Sequence, residues 1–285
     1  MFKIGFIDYY LDEWHANNYP KFISECVGDE IVVAYAYGEI ASPKTGKTSE
    51  EWCAERGIEC CSTIEEVIEK SDGLMILAPD DAQKKEELSK LAMMSGKPCV
   101  IDKTFTTGYD SAKRIFDLAE QYSTPVYTTS ALRYAPDYKV INNEDVTAIN
   151  LIGPNDFDIY SIHMLEPLMS IVRTDAKRVM YIPGQSFYTL NIELSDGRPA
   201  SISGYTYPRF PYMIAVASNE REKNMVVKAE QPFWPGFTAD VCDFFKTKEV
   251  KVDHRESLAI MAIRTAGLEA MKRPYEWITV ENKGF

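Results

Sequence analysis

The chain has 285 residues, 45% of them hydrophobic and 26% charged, with a formal net charge of −12. That length can bury a large core and suits two domains, while the acidic balance argues against nucleic acid or an anionic membrane as partner. No apolar run reaches the roughly 18 residues a membrane span needs. The chain runs straight into an apolar strand pattern, without the n-region, h-region and cleavage site of a signal peptide. Six cysteines, at positions 26, 53, 60, 61, 99 and 242, lack C-x-x-C spacing. They read as reduced thiols of a cytoplasmic protein rather than a disulfide frame or zinc site.

In chain order, residues 3–7 predict a strand. A helical pattern follows over 12–27, carried by Trp14, Tyr19, Phe22, Ile23 and Cys26 and interrupted by Pro20. Residues 30–37 form a second strand, apolar enough to be buried on both faces. A polar loop, 38–48, leads to a helix over 49–56 with Gly57 as its stop. Thr63 and Glu66 have the spacing of a capping box and open a third helix. Residues 73–78 give the third strand, and 80–95 a helix that Gly96 ends. The fourth strand, 98–101, delivers Asp102 and Lys103 to its carboxyl end, and an amphipathic helix follows over 109–122. Strands and helices alternating with short loops predict a Rossmann-like, doubly wound parallel sheet, and ligands of such sheets collect beyond the carboxyl ends of the strands. Lys103 reads either as a solvated loop lysine or as a side chain aimed at that ligand.

Past residue 125 the grammar changes. Strand-like runs at 126–130, 146–152, 178–182, 186–194, 200–207, 212–217 and 225–229 are separated by turn signals such as Asp196-Gly197. Helices are predicted over 159–172, 236–245 and 255–272. The expected organisation is a Rossmann-like first domain, 1–124, and an α+β second domain, 125–285, with a mostly antiparallel sheet.

Four motifs, in order, resemble the Gfo/Idh/MocA family of glucose–fructose oxidoreductase and inositol dehydrogenase type. Ala78, Pro79 and Asp80, followed by Gly96 through Asp102, Lys103 and Thr104, are similar to its TP…GKHVLxEKP signature, with Asp102 for Glu and Thr104 for Pro. Arg133, Tyr134 and Pro136 resemble its Arg-aromatic-x-Pro element. Tyr160, His163 and Glu166 resemble the DxGxHxxD helix, and the last helix, with Arg264 to Glu269, resembles the family's closing one. The resemblance covers nearly the whole chain. It implies a dinucleotide-binding first domain, a substrate-binding second domain whose sheet forms a homodimer or higher homo-oligomer, and hydride transfer between NAD or NADP and a sugar or cyclitol. In it Lys103 would polarise the reacting oxygen and His163 act as general acid or base, roles their chemistry suits. Pro79, Asp102, Tyr37 and Glu39 fall at or near its cofactor positions, Arg133 at a substrate position and Asp158 next to one.

The departures lie in the first turn. Where the family carries G-x-G-x-x-G after the first strand, this chain has Asp8, Tyr9, Tyr10, Leu11, Asp12 and Glu13. Two rings replace small residues, and negative charge stands where a diphosphate would go. Asp12 and Glu13 also suit a first helical turn through the macrodipole. Lys44 and Lys47 could meet the 2′-phosphate of NADP or be a solvated basic loop. The loop 41–48 matches the end of a phosphate-loop pattern, with Ala41 for its first glycine and Pro43 inside it, a remote pointer to an ATP-using enzyme. Asp158 is one residue out of register with the family's acid. Tyr205, Tyr207, Phe210, Tyr212, Phe233, Trp234 and Phe237 read as core or subunit-interface aromatics, with Trp234 also a candidate sugar platform. No metal site is expected. Two functions follow: an NAD(P)-dependent oxidoreductase on a sugar-like or cyclitol substrate, or a non-catalytic sugar- or protein-binding relative that has lost dinucleotide binding.

Overall fold

The computed structural model describes residues 1–79, 81–103, 105–207 and 209–285, so Asp80 and Thr104 of the signature lie outside the described residues. Packing divides the chain into two units, Met1–Thr129 with Phe237–Val252, and Ser130–Gly236 with Asp253–Phe285.

The first unit carries β1 (Phe2–Asp8), α1 (Trp14–Val27), β2 (Ile31–Gly38), α2 (Ser49–Arg56), β3 (Glu59–Cys60), α3 (Ile64–Lys70), β4 (Gly73–Ile76), α4 (Ala82–Met93), β5 (Cys99–Ile101), α5 (Tyr109–Gln121) and β6 (Val126–Thr128). The strands form one sheet in the order β3-β2-β1-β4-β5-β6, parallel throughout. Ile4, Phe6, Ile7, Leu74 and Ile76 are fully buried, as central parallel strands covered on both faces require. Strand order reverses between β1 and β4, so Asp8 stands at the sheet's topological switch point. Helix boundaries follow local signals. Thr48 and Glu51 form the capping box of α2, Gly57 ends it at φ 65, and Thr63 caps α3.

Three expectations change here. Helix α1 begins at Trp14, not residue 12, and Pro20 does not interrupt it. Burial of its Ala16, Tyr19 and Ile23 face outweighs the lost hydrogen bond. The two-residue β3, unforeseen, is too short to show a period. The strand after residue 125 is β6, and it closes the parallel sheet beside β5. A single break at 124/125 therefore does not describe the chain. The body of α7 (Trp234–Thr247) also returns to the first unit, where Phe245 meets Phe2 at 5.6 Å and Phe244 stacks on Tyr127 at 5.3 Å.

The second unit holds β7 (Val146–Pro154), α6 (Phe157–Val172), β8 (Ala176–Pro183), β9 (Phe187–Leu194), β10 (Pro199–Tyr205), β11 (Met213–Ser218), β12 (Met225–Lys228), α8 (His254–Lys272) and β13 (Trp277–Thr279). Its sheet runs β12-β11-β7-β10-β9-β8-β13. Among the described residues only β7 and β10 pair in parallel; the other pairs are antiparallel. Buried and partly accessible residues alternate along β9, the mark of a sheet with one face on a core. Helices α6 and α8 pack on each other and on this sheet. Gly267 permits that crossing, because a Cβ there would stand 2.3 Å from the Phe157 ring. Gly267→Ala should therefore lower stability by about 1–3 kcal/mol, the usual penalty of overpacking. A shift of less than about 0.5 kcal/mol in chemical denaturation would show that the helices slide apart freely.

Candidate functional site

At the switch point of the first unit six titratable side chains are buried together. Asp8, Glu13, His15, Lys85 and Asp102 are each under a tenth exposed, and Tyr19 is 2% exposed. Asp8 ends β1, and its Oδ1 accepts the backbone N–H groups of Tyr9 at 2.7 Å and Ala78 at 2.9 Å. Its Oδ2 is buried with no hydrogen-bond partner among the described residues. Glu13 is the N-cap of α1: one carboxyl oxygen accepts His15 N–H at 2.6 Å and the other accepts Ala16 N–H. His15 and Tyr19 lie four residues apart on α1, one above the other. The Tyr19 hydroxyl donates to Asp102 Oδ1 at 2.6 Å, and His15 Nδ1 lies 2.9 Å from that hydroxyl and 3.0 Å from Asp102 Oδ2. From α4, Lys85 Nζ donates to the carbonyl oxygens of Asp102, at 3.2 Å, and of Lys103. That clamp fixes the backbone from which the half-buried Lys103 side chain leaves.

Burial governs the protonation of this cluster. It pushes Asp8 up to about 7 and Glu13 up to about 9, each raised further by neighbouring carboxylates. It pulls Lys85 down to about 8 and pushes Tyr19 well above the phenol range. Burial alone would raise Asp102 too, but His15, Lys85 and Lys103 together hold it far below the carboxylate range. Asp102 is thus the ionised centre, while Asp8 and Glu13 hold their protons to higher pH than free carboxyls do.

Of the other expected cofactor residues, Tyr37 and Glu39 lie at the end of β2, Tyr9 and Tyr10 follow β1, and Pro79 follows β4. Glu39 accepts from Lys84 Nζ at 2.7 Å, and that ammonium lies 5.2 Å from the Tyr9 ring. Burial raises the Tyr37 phenol, with Glu39 adding to the effect. Tyr10 is buried, with Lys44 5.9 Å from its ring. The phosphate-loop reading loses its groups: Thr48 caps α2, and Lys47 pairs with Glu55 at 2.8 Å. Asp12 accepts from Thr45 at 2.7 Å.

In the second unit, His163 sits on α6 with Nδ1 2.7 Å from Ser130 Oγ, between the rings of Tyr160 and Tyr212. Arg133, its side chain 12% exposed, lies between buried Glu166, at 2.9 Å, and buried Glu256, an internal ion triad rather than an open substrate contact. Asp158 is five positions before His163, about 140° round the helix. It pairs instead with Arg264 of α8 at 2.5 Å, so the two are not brought together. Among the aromatics, Tyr205 and Phe210 stack at 4.2 Å while Tyr207 is exposed. Among the described residues no group of His, Cys, Asp or Glu is placed to hold a metal ion, all six cysteines are free thiols, and no helix is long and apolar enough to cross a membrane.

Sequence reasoning passed over His15, Tyr19 and Lys85. The i, i+4 spacing of the first two on an otherwise apolar helix face was the available signal. Lys85 carried none, since helix α4 is rich in lysine.

No family model matches the sequence, and no curated protein matches it. Solved structures do. An apo scyllo-inositol dehydrogenase from Lactobacillus casei superposes with a TM-score of 0.80 at 12% identity, covering 99% of both chains. An oxidoreductase from Agrobacterium radiobacter, in complex with NAD+, L-tartaric acid and magnesium, gives 0.80 at 11% identity over 98% of each. An NAD-binding protein from Listeria innocua gives 0.73 at 16%, covering 99% of this chain and 98% of its own. The chain has the two-part fold of the Gfo/Idh/MocA-type dehydrogenases.

Dinucleotide-binding folds of this type hold the pyrophosphate with a glycine-rich first turn, which sets it on the amides at a helix N-terminus. In this chain the amides of His15 and Ala16 already donate to Glu13. Buried Tyr10 and Leu11 stand where small residues let backbone approach a phosphate. As folded, the first turn does not fit a diphosphate.

Proposed function

We propose that the chain is an NAD(P)-dependent oxidoreductase acting on a sugar-like or cyclitol substrate, with Lys103 and His163 as its reacting groups. The observation that carries this reading is the setting of Lys103. It follows a buried strand of a dehydrogenase fold, on backbone clamped by Lys85 through two carbonyl oxygens. An ammonium on so rigid a mount can donate a hydrogen bond to a substrate oxygen and stabilise negative charge developing there. An imidazole oriented by Ser130 suits proton transfer. Names of similar structures supply the substrate and cofactor classes. A cytoplasmic homo-oligomer joined through the second sheet belongs to the same proposal.

The second reading, a sugar- or protein-binding relative without dinucleotide, is favoured by the carboxyl already seated on the α1 amides. Nicotinamide absorbance in the presence of NAD+ or NADP+ and a panel of inositols and sugars separates the two. On the first reading Lys103→Ala should lower turnover by about 10²–10⁴-fold, the scale of losing an oxyanion donor or acid–base group, with dinucleotide affinity unchanged. Equal rates in both proteins would remove Lys103 from the chemistry. Absence of both turnover and dinucleotide binding, in wild type and in variants with an opened first turn, would leave the second reading.

A further inference from the structure

The mismatch at the first turn originates in Glu13. An exposed N-cap normally offers one short side chain to one amide. Glu13 instead lies 5% exposed and uses both carboxyl oxygens, one on His15 N–H at 2.6 Å and one on Ala16 N–H. Those are the second and third residues of a 14-residue helix, the donors a bound anion would take there. A second carboxyl stands beside it. Asp8 adds to the electrostatic field on Glu13, its Oδ1 holds the amides of Tyr9 and Ala78, and its Oδ2 is buried without a hydrogen-bond partner among the described residues. The donors at both strand ends of the switch point therefore serve the chain's own acids. Just past β5, Asp102, with its His15 contact and the Lys85 clamp, belongs to the same buried cluster.

We infer that Glu13 is an internal occupant of the pyrophosphate position and sets the chain's affinity for dinucleotides, which bind only once its carboxyl leaves the His15 and Ala16 amides. This rests on the dinucleotide-dependent reading above. It makes Glu13 the residue that determines cofactor affinity, where Asp8 and the bulky rings of Tyr9 and Tyr10 were the foremost expected obstacle. Glycine at this position would keep the extended backbone that precedes α1, since φ is −134 and ψ 170, and would free both amides.

Calorimetry on the full-length protein tests it, with NAD+, NADP+ and inorganic pyrophosphate as probes and adenosine as the phosphate-free control. Wild type should bind NAD+ and NADP+ no tighter than about millimolar, the Kd for which the binding free energy is only about −4.1 kcal/mol. Glu13→Gly should tighten NAD+ and pyrophosphate at least tenfold and leave adenosine unchanged. If Glu13→Gly does not fold, as judged by its thermal melt, Glu13→Ser retains a cap on one amide and should show a smaller gain in the same order. Micromolar binding that is equal in wild type and variant overturns the inference while sparing the dinucleotide reading. Undetectable binding in wild type and both variants overturns both. A gain for adenosine equal to that for pyrophosphate overturns the inference as well, because the amides would not be the cause.

Discussion

Replacing Arg133 with alanine should lower the free energy of unfolding by about 3–5 kcal/mol, the scale expected when one partner of a buried ion pair is removed. Its guanidinium donates to Glu166 Oε2 at 2.9 Å, to the Glu166 carbonyl at 3.4 Å and to Glu256. Burial works against the charged form, yet the two glutamates hold the guanidinium above its ordinary value. Without it, two carboxylates with side chains only 5% and 7% exposed face each other in low dielectric. Arg133→Lys keeps the charge but not the fork and should lose less. Arg133→Met combined with Glu166→Gln and Glu256→Gln removes the charges together and should recover part of the loss. Urea denaturation of the four proteins reads this out. A loss below about 1 kcal/mol in Arg133→Ala would show that the glutamates take up protons or water freely.

Raising the pH from about 5 to 8 should destabilise the first unit, against the common pattern in which stability grows away from acid. The sign follows from Asp8 and Glu13. In the unfolded chain their carboxyls lose protons at the ordinary values of 3.8 and 4.5, but burial in the folded protein delays this to about 7 and about 9. Between those limits the folded state binds more protons than the unfolded one, so stability falls as pH rises. A tenfold difference in proton affinity between folded and unfolded states corresponds to about 1.4 kcal/mol, so the decline should amount to a few kcal/mol. Asp102 acts oppositely and only in acid, where protonation would break its contact with His15. Lys85, pulled down to about 8 from 10.5, begins to restore stability only above that pH. Glu13→Gln should flatten the slope. Urea midpoints measured at several pH values decide it, and a midpoint that holds level or climbs over this range would contradict the buried protonated pair.

Repeating strand–helix periods and stop signals made the parallel half readable residue by residue. Gly57 and the Thr63 cap fall where the patterns put them because backbone rules act locally. The unit boundary was not readable. Val126 and Tyr127 form an apolar pair that either sheet could use, and nothing local in Phe244 or Phe245 announces a return to the first unit. Lys103 and His163 stood out from motif spacing. Arg133 did too, but its binding to Glu166 and Glu256 joins residues 33 and 123 positions apart, beyond any local pattern. Glu13 was legible as an acid at a helix start; that its carboxyl bridges two amides depends on a turn in which Asp8, Tyr10, Leu11 and Glu13 are all buried.

Because residues 237–252 return to the first unit, that unit cannot be completed early in biogenesis. While the chain is being synthesised, the six-stranded sheet can pair as soon as β6 has left the ribosome. The ring faces of Phe2 and Tyr127 then wait for Phe245 and Phe244, and the Tyr127 hydroxyl waits for Asp240. The whole stretch Ser130–Gly236 of the second unit emerges in that interval. The amino-terminal unit is therefore finished late, and a nascent chain halted between β6 and α7 exposes an aromatic surface of the kind chaperones engage.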